Sequence, residues 1–249
     1  MVQRKANLAS LYLEVATASN ILVVGGGIVG VELAGELAFL PNIAEKKVHL
    51  AVKGAQLMKQ FDSRAALAAE EFLLSKGIEI MYNTTYDDSQ KKDYDLVLFC
   101  TGEKYNSDFL KTEFSSSIAS NGQIFVNNFF QLSASDPASN GKATACKENI
   151  FAFGDACRTS ANEIKNIGGI KFFAQTVIDN VNSIARGEEP VSSIPTKIPI
   201  FGAISLGPTY GIYVMNSNVM GGEGYGKGKF EFTEAYLKIY NGDVEVLES

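Results

Sequence analysis

The sequence has no tryptophan, one histidine, three cysteines and six prolines among 249 residues. Cys100, Cys146 and Cys157 form no CxxC and no paired spacing, and with His49 as the one imidazole they make a poor structural zinc set. An odd cysteine number also argues against a disulfide framework and fits a reducing compartment. No apolar run reaches the roughly 18 residues that a membrane helix needs. Valine follows Met1, where an N-myristoyl signal needs glycine. Positive charge is short as well: Lys plus Arg is 22 against 28 Asp plus Glu, a net charge of −6, which argues against a general nucleic-acid surface. What remains is an average globular composition, 46% hydrophobic and 20% charged, which excludes a disordered tail and a collagen-like rod. The length allows one to two domains at roughly 150 residues each.

Residues 1–18 predict a helix whose apolar stripe is Leu8, Leu11, Tyr12 and Val15, a better reading than a transit peptide. Ile21-Leu22-Val23-Val24 then reads as a buried parallel strand. Gly25-Gly26-Gly27-Ile28-Val29-Gly30 follows at once, a helix begins at Val31, and Lys47 to Val52 is a second strand. The result is one βαβ unit. His49 sits within that second strand and reads as a packed or edge residue, not a ligand. A further helix from Ser63 to Lys76, capped by Asp62 or Ser63 and ended by Gly77, precedes strands at Ile78–Tyr82 and Asp95–Cys100. Beyond these come a short strand at Ile124–Val126, a strand from Asn149 that stops at Gly154-Asp155, and a helix from Gly169 to Arg186. That helix carries a stripe of Phe172, Phe173, Thr176, Val177, Asn180, Val181 and Ile184. Pro190, Pro195 and Pro199 mark a linker before two or three final strands.

Gly25-x-Gly27-x-x-Gly30 has dinucleotide-binding spacing. The first glycine permits the tight turn, the second admits the pyrophosphate to the backbone, and the third lets the helix approach the strand. Phosphates would then meet free N–H groups at the positive end of the helix. The acid expected at the end of the second strand for the ribose 2′-hydroxyl is missing. Lys53 stands there, either to meet a 2′-phosphate or as an exposed strand-end charge. Either NADH or NADPH is therefore open as the cofactor.

Three segments in order resemble the FAD- and NAD(P)-dependent pyridine nucleotide-disulfide oxidoreductases, and within them the apoptosis-inducing-factor-like type II NADH:quinone oxidoreductases. ILVVGGGIVGVELAGEL at 21–37 resembles the NAD(P)H-binding motif, LVLFCTG at 96–102 the exit strand with its Thr101-Gly102 turn, and IFAFGDA at 150–156 the second FAD motif. The resemblance implies that Gly25, Gly27 and Gly30 hold the NAD(P)H pyrophosphate, and that Gly154 and Asp155 hold the flavin's ribityl chain. It matches Glu32 to an acidic residue near nicotinamide and flavin, although a helix-start carboxylate is an equal reading. Lys171 would place positive charge near the reduced ring, or be solvated. No side chain needs to do covalent chemistry, because protein of this kind supplies orientation and electrostatics to the cofactors. The acceptor implied is quinone-like, and the setting intracellular and mitochondrial.

One departure follows from the same resemblance. The strand, glycine turn and helix that bind the FAD adenosine phosphates in this family are not found ahead of Gly25. The chain is then a fragment, a half completed by a second polypeptide, or a structural subunit of a larger assembly that keeps a degenerate oxidoreductase fold. The fold class expected is α/β: a helix or linker over 1–18, a Rossmann-like NAD(P)H domain with a parallel sheet over 19–102, a partial FAD domain over 103–189 and a small C-terminal α+β, strand-rich segment over 190–249.

Overall fold

The computed structural model describes residues 2–102, 104–139, 145–161, 165, 167–195, 197–228 and 231. The chain divides into two compact units, Met1–Thr101 with Phe201–Ser249, and Gly102–Ile200.

The first unit is built on four parallel strands: β1 (Asn20–Val24), β2 (Lys47–Ala51), β3 (Glu79–Met81) and β4 (Leu96–Phe99), in the order β3-β2-β1-β4. Ile21, Val23 and Leu50 are fully buried. Each such side chain contributes about 1.5–3 kcal/mol by leaving water, which fixes the register of the central pair. Asp95 anchors the start of β1 beside β4 by accepting the Ser19 and Asn20 amides at 2.9 and 2.8 Å. Those amides, Asn20's first, hold its carboxyl below the usual carboxylate range. His49 is packed as expected, its Nδ1 3.2 Å from Glu79 and its ring edge-on to Tyr94.

Helices α1 (Val2–Thr17), α2 (Ile28–Leu37) and α3 (Ser63–Ser75) belong to this unit. Asp62, not Ser63, caps α3, accepting the Arg64 amide at 3.0 Å, and Gly77 follows its end with φ +79°. The stripe predicted on α1 is corrected. The helix forms, but Leu8, Leu11 and Tyr12 are 59%, 40% and 70% exposed. Its anchor is at its C-terminal end, where Lys46 Nζ donates to the carbonyls of Ala16 and Ala18 and meets the negative end of the helix dipole.

The strands after the proline-marked linker join this first unit and are not a segment apart. They form the antiparallel sheet β9 (Phe201–Leu206), β10 (Tyr210–Met215) and β11 (Asn218–Glu223). Phe72 of α3 stacks on Tyr210 at 4.3 Å, and the Arg64 guanidinium donates to the Ser217 carbonyl. Gly35 of α2 lies so close to β9 that a Cβ there would come 2.7 Å from the Leu206 Cα.

The second unit contains β5 (Ile124–Phe125), β6 (Gln131–Ser133), β7 (Ala145–Phe151) and β8 (Cys157–Arg158), with a short helix α4 (Lys111–Phe114) and the long helix α5 (Ile167–Ala185). Pairing is β5 with β8, parallel, and β6 with β7, antiparallel. Its core gathers Ile124, Val126, Phe130, Leu132, Cys157, Phe173, Val177 and Ile194. The predicted stripe of α5 narrows: Phe173, Val177 and Asn180 are buried at i, i+4 and i+7, while Phe172 and Val181 are 46% and 41% exposed. One residue is a 100° rotation on a helix, which carries Phe172 off the core face.

Candidate nucleotide and flavin sites

All four parallel strands end at one edge of their sheet, and in open α/β sheets that carboxyl edge is where ligands sit. The residues that follow those ends are Gly25, Val52, Tyr82 and Cys100. Backbone bonds hold them in place: Gly25 N–H to Ala51 O at 2.9 Å, Val52 N–H to Met81 O at 2.9 Å and Cys100 N–H to Val24 O at 2.8 Å.

Gly25 has φ +124°, and a Cβ there would come 2.7 Å from the Cys100 carbonyl oxygen and 2.9 Å from the Thr101 methyl. Gly30 is tighter still, since its Cβ would fall 1.8 Å from the Gly25 oxygen. These two positions therefore need glycine for the chain to turn from β1 into α2. Gly27 is different. A Cβ there meets nothing within 4 Å, and its φ of −77° is ordinary. Gly27 is the N-cap of α2, and no side chain caps it. The first-turn N–H groups are thus left to a ligand or to water. A tight turn with an open middle glycine over an uncapped helix fits a pyrophosphate.

Lys53 follows the end of β2 and is exposed. Thr101 and Gly102, also exposed, follow β4. Glu32 is half-buried on α2, and its Oε1 accepts the Ser205 amide at 3.0 Å and lies 3.5 Å from the Ser205 hydroxyl. The residue proposed to face nicotinamide is thus engaged by β9. Ser205 carries no motif, so sequence reading passes over it. Cys100 gives no signal of its own in the sequence either, yet it lines the turn against Gly25 and Gly30. Partial burial pushes its thiol up.

Gly154 and Asp155 lie in the second unit. The strand expected to stop at them ends earlier, at Phe151, and residues 154–156 form a turn. Gly154 has φ +84°, and its carbonyl accepts from the Cys157 amide at 3.2 Å and from the Cys157 Sγ at 3.1 Å. This turn brings Cys157 back to pair with Ile124 in β5. Asp155 is exposed, and Cys157 is a buried packing residue, as expected. Lys171 lies on α5, and its side chain is outside the described residues. The predicted residues therefore fall in two groups: Gly25, Gly27, Gly30, Glu32, Lys53 and Thr101 in the first unit, and Gly102, Gly154, Asp155 and Lys171 in the second. Among the described residues no cluster of His, Cys, Asp and Glu suits a metal ion, and no helix is long and apolar enough to cross a membrane.

A parallel sheet, a glycine turn at its carboxyl edge and an open-faced helix start define a nucleotide-binding α/β protein. The pattern of the pyridine nucleotide-disulphide oxidoreductases matches residues 3–181, and the chain belongs to that family. FAD and NAD(P)H are the cofactors of this class. Ferroptosis suppressor protein 1 of Xenopus laevis is 26% identical over 85% of this chain and 58% of its own length. Apoptosis-inducing factor homolog A of Dictyostelium discoideum is 26% identical over 83% of this chain and 55% of its own length. The chain thus spans a little over half the length of these relatives. Among solved structures, an engineered water-forming NADPH oxidase bound to NADPH shares the fold, with a TM-score of 0.53 and 21% identity over 84% of this chain and 45% of its own.

Proposed function

We propose that the chain is the NAD(P)H-binding portion, with part of the flavin-binding portion, of an oxidoreductase that passes hydride from nicotinamide to FAD and electrons on to a quinone-like acceptor. The observation that carries this reading is the turn from Gly25 to Gly30, tight at both ends and open at Gly27. When bound, nicotinamide supplies the hydride and flavin receives it. The chain's own residues bind and orient. Gly25, Gly27 and Gly30 would seat the pyrophosphate on the start of α2, Thr101 and Gly102 would border it, and Gly154 with Asp155 would hold the flavin's ribityl chain. Lys171 would add positive charge near the ring. A second polypeptide, or the rest of a longer protein, would complete the FAD fold. The setting we infer is intracellular, and the family resemblance extends this to the mitochondrion.

The test is Gly27→Glu in the flavin-loaded enzyme. A carboxylate in the open face of the turn should abolish NAD(P)H oxidation and bleaching of the flavin absorbance. Unchanged oxidation would overturn the reading. A second reading, a structural subunit that keeps the fold without the reaction, is favoured by one observation: the Glu32 carboxylate is engaged by Ser205. A visible spectrum without flavin, with native partners retained and again with them removed, would support it.

A further inference from the structure

We propose that Met58 is the positioning residue of the phosphate turn: its backbone N–H holds the Gly26–Gly27 peptide in the orientation that offers a bound pyrophosphate a donor. The inference rests on the dinucleotide reading of that turn. Met58 lies on the segment that leaves β2 and leads to α3, and its N–H donates to the Gly26 carbonyl at 2.7 Å. The Gly26–Gly27 peptide is trans, so its C=O and its N–H point in opposite directions. With the Gly26 carbonyl turned towards Met58, the Gly27 N–H is turned away from that segment. Among the described residues the Gly27 N–H has no acceptor, and a Cβ on Gly27 would meet nothing within 4 Å. It therefore joins the uncapped first-turn N–H groups of α2 as a donor free for an anion.

The turn needs such a hold. Gly25, Gly26 and Gly27 stand in a row, with no side chain to bias the peptide between the last two. Gly26 has no room for one, since a Cβ there would come 2.5 Å from a Val52 methyl. A flipped peptide would exchange its two groups and set a carbonyl oxygen against the anionic phosphate oxygens. Met58 itself carries the second sign. Its φ of +46° lies in the left-handed region, which a long side chain rarely adopts, so its surroundings must impose it. Leu57 and Met58 are fully buried, and Phe61 N–H donates to the Met58 carbonyl at 2.9 Å. Phe61 packs on Gly202 of β9 so closely that a Cβ there would strike its ring. At the other end of the segment, Thr84 N–H donates to Val52 O at 2.9 Å and Asn83 N–H to Gly54 O at 3.1 Å. Packing on both sides thus maintains an unfavourable backbone conformation whose product is one N–H aimed at the phosphate turn.

The experiment replaces the Met58 amide with an ester, using the α-hydroxy analogue of methionine at that position, which deletes the N–H and keeps the side chain. Calorimetric titration of the full chain should show NADH and ADP-ribose each binding about tenfold more weakly, the scale of one hydrogen bond to a charged group. Met58→Gly makes the converse change: it keeps the N–H, adopts the positive φ freely and loses the buried side chain. It should melt below the parent yet bind both probes as tightly. In the parent with isotopically labelled glycine, the Gly27 amide resonance should shift when ADP-ribose is added, and in the ester form it should shift less. ADP-ribose binding that leaves the Gly27 amide of the parent unmoved would overturn the proposal. So would an ester form that binds like the parent, or a Met58→Gly form that binds as weakly as the ester. Each of these outcomes leaves the dinucleotide site standing. A parent that binds neither probe would remove the dinucleotide reading and the positioning role with it.

Discussion

Glu32 Oε1 accepts the backbone N–H of Ser205 at 3.0 Å, across 173 residues of sequence. It ties α2, whose start seats the phosphate turn, to the first strand of the C-terminal sheet. Glu32→Ala leaves the Ser205 amide without its acceptor and should lower stability by about 1–2 kcal/mol, the range for a hydrogen bond to a charged group that is partly solvated. Hydrogen exchange at Ser205 should speed up, and Glu32→Gln, which keeps an acceptor oxygen, should lose less. If Glu32 instead serves only the nicotinamide, exchange at Ser205 will not change in either variant.

Two glycines of the same turn should behave differently. Gly30→Ala places a Cβ 1.8 Å from the Gly25 oxygen, so α2 must move off the end of β1. Destabilisation of about 3 kcal/mol or more is expected, as for other overpacked core positions. Gly27→Ala meets nothing within 4 Å and has a φ open to alanine. It should melt within a few degrees of the parent yet bind NAD(P)H more weakly, because the methyl group stands where the pyrophosphate approaches. Paired thermal melts and calorimetric titrations separate the two effects.

In the second unit Asn180 is fully buried and makes four bonds. Its Nδ2 donates to the carbonyls of Phe129 and Ser192 at 3.1 and 2.6 Å, and its Oδ1 accepts the amides of Val191 and Ser192 at 3.0 and 2.9 Å. The side chain fastens the segment after α5 back onto the helix. Asn180→Ala should cost about 2–4 kcal/mol, because several backbone groups lose their partners together. Asn180→Asp keeps the acceptor but sets a buried carboxylate oxygen against the Phe129 and Ser192 carbonyls, so at neutral pH it should be no more stable than the alanine variant. Denaturant melts of the three proteins check the order.

The parts legible in the sequence are those whose cause is local. Ile21 to Val24, the glycines and the helix behind them sit within one short stretch, so spacing alone predicts β1, the turn and α2. The cap of α3 is legible for the same reason, since Asp62 acts on an amide two residues away. The Ser205 bond to Glu32 is not legible, because no pattern links positions so far apart. The role of Met58 is also hidden. Its positive φ and its bond to Gly26 arise from burial of the whole segment, and methionine carries no turn signal. For α1 the periodicity predicts the helix correctly, but Leu8 and Tyr12 are exposed, because periodicity states which face is apolar and not what covers it.

Acid should reveal the cap of α3. The Arg64 side chain and amide both donate to Asp62 and hold its carboxyl at about 2, below its ordinary 3.8. A depressed folded-state value means that the charged carboxylate stabilises the fold fully above pH 3.8. That contribution fades as pH falls towards about 2, where the folded protein too takes up the proton. The parent should therefore lose stability between about pH 4 and pH 2 in part through this one group. Asp62→Asn keeps a good N-cap side chain but has no charge to lose, so its stability should fall less steeply over the same window. Urea midpoints for the two proteins from pH 5 to pH 2 measure the difference. Parallel curves would mean that the exposed Asp62–Arg64 pair is screened by solvent and contributes nothing measurable, in which case the cap stabilises α3 through its hydrogen bond alone.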